Sequence, residues 1–304
     1  MRIAPNHLLV LTLLLALLAG SVTACRAGGT GLTSDGKLTV VVSIVPQKYF
    51  VERIGGEHVS VSVMVEPGAN PATYEPKPEQ LKSLSSAAVY FSIGVPFEDA
   101  WLDRIAAANA DMMMVDTIVD IERMPMGEHR HEDEKQEATG APDPHVWLSP
   151  QLVKEQSQVI CEALAELDPA HEAEYHANLD AFIADIDALQ AEIETTLSGL
   201  KENKFMVFHP AWGYFARDFG LEQVPVEVGG QEPSAQEMAH LIEEARKENI
   251  RVIFAQPEFS TQDAETIAQE IDGEVLLISP LAPDWLNNMR TVAQTFANVL
   301  GKEK

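Results

Sequence analysis

Basic residues are scarce in this chain. Only 21 of 304 residues are Lys or Arg, against 47 Asp or Glu, and the formal charge is −26. Without a Lys/Arg surface to neutralise phosphates, nucleic acid is excluded as a partner. So acidic a chain suits a protein that attracts cations, although charge alone says nothing about fold. Cysteine is nearly absent, with Cys25 and Cys161 the only two. Several catalytic signatures are also missing: no Gly-x-Ser-x-Gly elbow, no P-loop, no His-Glu-x-x-His and no glycine fingerprint after a strand. An enzyme is therefore not expected. One long apolar run exists, Leu8 to Leu18, and it is too short for a stable membrane span.

That run has a use. A basic start at Arg2, the apolar run and the small residues Gly20 to Ala24 form a secretory signal over 1–24. Val22-Thr23-Ala24-Cys25 resembles a bacterial lipobox, which would make Cys25 the lipidated first residue of a protein anchored in the cell envelope. The alternative is an ordinary cleavage site with a chance cysteine nearby. Residues 25–37, rich in Gly, Ser and Thr, read as a tether. With Cys25 lipidated, Cys161 has no partner, so no disulfide framework exists. Cys161 falls on an apolar helix position, as a small core residue would.

From Leu38 onward strands alternate with helices. Leu38 to Ile44 is a continuous β-branched run, the pattern of a buried parallel strand. Further strands are expected at 59–65, 87–93 and 112–115, with helices at 46–54, 78–85 and 97–108, giving an α/β lobe over 38–148. The Met112-Met113-Met114 run is read as core strand rather than as a soft-metal site. Residues 122–142 break the pattern. Five acids, two bases, His129 and His131 crowd between Glu128 and Glu137. This segment is either a solvated charge run or a collector of metal ions beside the cleft.

Helices fill 149–201. Ser149-Pro150 is a cap-and-start signal, repeated at Asp168-Pro169. Apolar residues from Tyr175 through Leu179, Phe182, Ile186 and Leu189 to Leu200 step by three and four along one seam. The spacing predicts one long helix from Pro169 to Leu200, roughly 48 Å at about 1.5 Å per residue. A second α/β lobe over 202–301 repeats the rhythm of the first. Strand, Pro46, Tyr49-Phe50, helix and Gly55 find their parallel in strand, Pro210, Tyr214-Phe215, helix and Gly220. The fold class is α/β: two parallel-sheet, Rossmann-like lobes bridged by one long rigid helix, with a ligand cleft between the lobes.

Two histidines stand out against this frame. His145 lies in Asp143-Pro144-His145-Val146-Trp147, and His209 in Phe208-His209-Pro210-Ala211-Trp212. Each sits where an ordered stretch turns into a helix, at similar edges of two lobes, as the donors of a closing metal site would. His171 and His176, five apart on the long helix, lie on different faces, and they and His58 and His240 read as structural or surface residues.

The chain resembles the metal-binding proteins that feed zinc or manganese ABC importers, the cluster A-I solute-binding family. The resemblance covers Leu38 to Leu300. It is carried by Val65-Glu66-Pro67-Gly68-Ala69-Asn70-Pro71-Ala72-Thr73-Tyr74-Glu75-Pro76, by Asp143 to Pro150, by His209 with Trp212 to Ala216, by Ile253 to Pro257, and by Pro280-Leu281 before Trp285 and Met289. It implies a carrier that captures a divalent transition ion and hands it to a permease, as a monomer held to the membrane by lipid. His145 and His209 match the family's second and third ligands. The family's first histidine falls at Ala72, which has no ligand atom, and its usual acid falls at Ser279, a poor ligand. Two histidines alone hold zinc weakly. Glu258, at the carboxyl end of a second-lobe strand, leads the candidates to complete the site; Glu75 and Glu227 are alternatives, and Gln256 could supply a neutral oxygen or orient a ligand. Imidazole favours Zn²⁺ as the transported ion, with Mn²⁺ or a metal chelate left open. A scavenging or adhesin-type lipoprotein on the same scaffold is the other reading of function.

Overall fold

The structure is a computed structural model and describes residues 31–126, 141–227 and 231–301. The leader with Cys25 and the segment with His129 and His131 lie outside these residues. The first lobe runs β1 (Leu38–Val42), α1 (Val45–Gly55), β2 (Val59–Val63), α2 (Pro78–Leu84), β3 (Val89–Ser92), α3 (Pro96–Ala108) and β4 (Met113–Asp116). Two helices follow, α4 (Pro150–Leu167) and α5 (Glu172–Leu197). The second lobe runs β5 (Lys204–Val207), α6 (Gly213–Phe219), β6 (Glu222–Pro225), α7 (Ala235–Lys247), β7 (Val252–Ala255), α8 (Gln262–Glu270), β8 (Glu274–Leu277) and α9 (Trp285–Leu300).

Both sheets are parallel and share one order, β2-β1-β3-β4 and β6-β5-β7-β8. The repeat read from the lobes' openings thus extends through their topology. The inner strands β1, β3, β5 and β7 carry the near-continuous apolar runs that burial on both faces requires. One expectation fails at an edge. The methionine run is not wholly core: β4 pairs only with β3, so Met112 is buried while Met114 is exposed.

Helix α5 is the brace. Its seam of Tyr175, Leu179, Phe182, Ile186, Leu189, Ile193 and Leu197 is buried throughout. On the first-lobe side, Phe182 meets Phe50 of α1 at 6.0 Å between ring centres, and Arg53 pairs with Asp185 at 2.6 Å. On the second-lobe side, Glu192 pairs with Arg290 of α9 at 2.7 Å. Phe50 also packs edge-on against Trp285 of α9 at 5.4 Å, so one apolar core runs through both lobes and the helix between them.

The brace is shorter than its sequence pattern. It begins at Glu172 rather than Pro169 and stops at Leu197, roughly 39 Å at about 1.5 Å per residue. The Asp168 carboxylate does not cap it. That carboxylate accepts instead from the His171 ring at 2.6 Å and from the Tyr175 hydroxyl at 2.8 Å. Ser149 caps α4 as its sequence signal promises, accepting from the Leu152 amide at 3.3 Å.

Candidate metal centre

In an open parallel sheet the crevice forms where neighbouring strands send their loops in opposite directions. In the second lobe this occurs between β5 and β7. His209 follows β5 by two residues, and Glu258 follows β7 by three. In the first lobe the corresponding loop after β3 supplies Val95 and Pro96 to the cavity wall.

The two histidines converge. Their Nε2 atoms stand 3.3 Å apart, with ring centres at 5.1 Å and planes at 70°. Each ring is oriented from behind by a carboxylate: Asp143 Oδ1 lies 2.7 Å from His145 Nδ1, and Glu227 Oε2 lies 2.6 Å from His209 Nδ1. A carboxylate only accepts, so both Nδ1 atoms carry a proton, and in the neutral rings both Nε2 atoms present lone pairs. Two lone pairs facing each other at this distance repel unless an electrophile lies between them. Burial lowers the pKa of His209, a shift opposed by its hydrogen bond to Glu227, which disfavours a proton on that ring. A metal ion is the other electrophile that fits. Tetrahedral zinc with bonds of about 2.0–2.1 Å to nitrogen sets two donors about 3.3 Å apart.

The backbone around the pair is fixed. Asp143 Oδ1 also accepts from the His145 amide at 2.9 Å. Gln256, fully buried, donates to the His209 carbonyl at 2.7 Å and accepts from its amide at 3.3 Å, so it holds the loop as an orienting residue. Phe259 stacks on the His209 ring at 4.6 Å. The His145 segment is tied to the second lobe: Tyr214 donates to the Asp143 carbonyl at 3.1 Å, Trp147 to the Pro280 carbonyl at 2.7 Å, and Trp285 to the Trp147 carbonyl at 2.7 Å.

Both histidines open on a cavity of about 50 Å³, walled by Glu258 and Phe259 of the second lobe and by Pro71 and Ala72 of the first. Ala72 thus occupies the wall where the resemblance puts a histidine. Glu258 accepts from the Ser279 hydroxyl through Oε1 at 2.7 Å, and its buried Oε2 has no hydrogen-bond partner among the described residues. A larger cavity of about 640 Å³ lies at the opposite, amino ends of β5 and β7, beside Lys204 and Val252, and has no histidine in its walls. Among the described residues no three of His, Cys, Asp and Glu are drawn together as a finished metal cage.

The other candidates fall elsewhere. Glu75 is exposed and absent from the cavity wall. Glu227 is spent on the His209 ring. Sequence reading missed that role, because it is set by strand register: β5 and β6 pair Val207 with Pro225, and two residues further on the register sets His209 beside Glu227. His58 and His171 stack on each other at 3.8 Å, held by Glu174 and Asp168. Cys161 is buried, with its thiol pushed up to about 11 by burial, as befits a core residue.

A site of this kind at the switch points of two parallel-sheet lobes defines a metal-capturing solute-binding protein. The family described as "Zinc-uptake complex component A periplasmic" matches residues 40–299, and the chain belongs to it. The crystal structure of ZnuA is 48% identical, covering 86% of this chain and 99% of the other with a TM-score of 0.80. A ZnuA deletion mutant with zinc bound is 46% identical, covering 88% and 100%, with a TM-score of 0.82. The high-affinity zinc uptake system protein ZnuA of Bacillus subtilis is 28% identical, over 86% of this chain and 84% of its own length.

Proposed function

We propose that this chain captures Zn²⁺ outside the cytoplasm and delivers it to the permease of an ABC importer, with His145, His209 and Glu258 as the protein donors. It acts as a carrier rather than a catalyst, as a monomer, tethered by lipid on Cys25. The observation that carries the reading is the 3.3 Å separation of the two Nε2 atoms, each on a ring backed by a carboxylate at Nδ1. Membership of a zinc-uptake family and likeness to a zinc-bound relative support the choice of ion.

Calorimetry on chelator-stripped protein tests it. One Zn²⁺ should bind tightly per chain, with Mn²⁺ weaker, and His145→Ala or His209→Ala should abolish tight binding. Affinity indifferent to both histidines would sink the site. Mass spectrometry of membrane-extracted protein should find lipid on Cys25, and Cys25→Ser should release the protein from the membrane.

A further inference from the structure

The proposal concerns Ser279 and rests on the reading of Glu258 as a metal donor. A serine hydroxyl has one proton to give and two lone pairs to offer. The Leu281 amide donates to Ser279 Oγ at 3.1 Å and takes a lone pair. The proton is left for Glu258 Oε1 at 2.7 Å. Ser279 cannot drift, because the Asn288 side chain on α9 donates to its carbonyl at 2.8 Å. The two oxygens of Glu258 are therefore unequal: Oε1 is engaged, whereas Oε2 is buried and unpaired among the described residues.

We infer that Ser279 is a positioning residue that tunes ion specificity, because its hydroxyl occupies one lone pair of Glu258 Oε1 and leaves the unengaged Oε2 as the favoured donor. Two nitrogens and a single oxygen suit a four-coordinate ion with one position left open, which is zinc's habit. Mn²⁺ prefers six oxygen-rich ligands. The rest of the cavity wall does not supply them. Of the other wall residues only Asn70 carries a side-chain oxygen, and that oxygen already accepts from the Ala72 amide at 2.8 Å. Freeing Oε1 would allow Glu258 to bind through both oxygens and raise the coordination number.

The test compares the stripped full-length mature protein with Ser279→Ala, Ser279→Thr and Glu258→Gln. Zn²⁺ affinity is read by chelator competition, Mn²⁺ affinity by electron paramagnetic resonance, and coordination number by the visible spectrum of the Co²⁺ form. In Ser279→Ala the preference for Zn²⁺ over Mn²⁺ should fall by about tenfold or more, the scale on which groups behind a ligand act. The intense four-coordinate Co²⁺ bands should weaken in the same variant. Ser279→Thr, which keeps the hydroxyl, should retain both the preference and the bands. Equal weakening of both ions in Ser279→Ala, or an unchanged preference with unchanged Co²⁺ bands, would overturn the inference. Zinc affinity unmoved by Glu258→Gln would overturn the donor reading beneath it, a separate result.

Discussion

Asp143 and Glu227 touch no proposed cargo, yet each fixes which nitrogen of its histidine is free. Asp143→Asn or Glu227→Gln should weaken zinc binding by about 10- to 100-fold while leaving the protein folded, as isothermal titration and circular dichroism would show. A third buried carboxyl offers a different readout. Glu98 is 4% exposed and accepts from the Gly94 amide at 2.7 Å and from Ser43. Burial raises its pKa to about 7, against the opposing hydrogen bonds from Ser43, Ile93 and Gly94. The folded state therefore holds this proton more tightly than the unfolded chain does. The associated stability is fully present below about pH 4.5 and is lost as pH rises to about 7, an amount of roughly 3 kcal/mol. Urea melts of wild type minus those of Glu98→Gln should show that slope, and a flat difference would refute it. At this scale the proposed ligands His145 and His209 were legible in the sequence, because each stands close to Pro and Trp at the start of a helical stretch. The sequence hid Glu227, because the partner of His209 is set by strand register across 18 residues.

Elements were the most legible level. Apolar runs marked the inner strands, and Pro or Ser at helix starts marked their beginnings, so most boundaries fall within two residues of expectation. The brace misled at its amino end, where Asp168 looks like a cap until His171 and Tyr175 claim its carboxylate. Phe182 at the middle of that brace touches both Tyr49 and Phe50. Truncation to Ala should cost about 3–5 kcal/mol, read by denaturant unfolding, because a buried ring is lost and a cavity remains. Val119→Ala, at an exposed position, should shift stability by no more than about 0.5 kcal/mol in the same assay.

At the scale of the molecule, a single core threads both lobes through the brace, so relative motion should be a small tilt rather than a wide swing. Small-angle scattering of stripped and zinc-loaded protein should give nearly the same radius of gyration. A change on the scale of wide hinge closure would contradict the shared core. The indole and phenol clasps add a further consequence. His209 and Glu258 belong to the second lobe, and Trp147 and Tyr214 bind the His145 segment to that lobe as well. Apart from His145, the first lobe brings Asn70, Pro71, Ala72, Val95 and Pro96 to the cavity, and of these only Asn70 has a polar side chain, its oxygen already accepting from the Ala72 amide. A ligand held equally well by two conformations shifts neither. An ion held by the donors proposed here, His145, His209 and Glu258, would be gripped from one side and have little means of announcing its arrival by drawing the lobes together. A permease would then meet filled and empty carriers in nearly the same shape, and surplus empty carrier would act as a competitor that slows uptake.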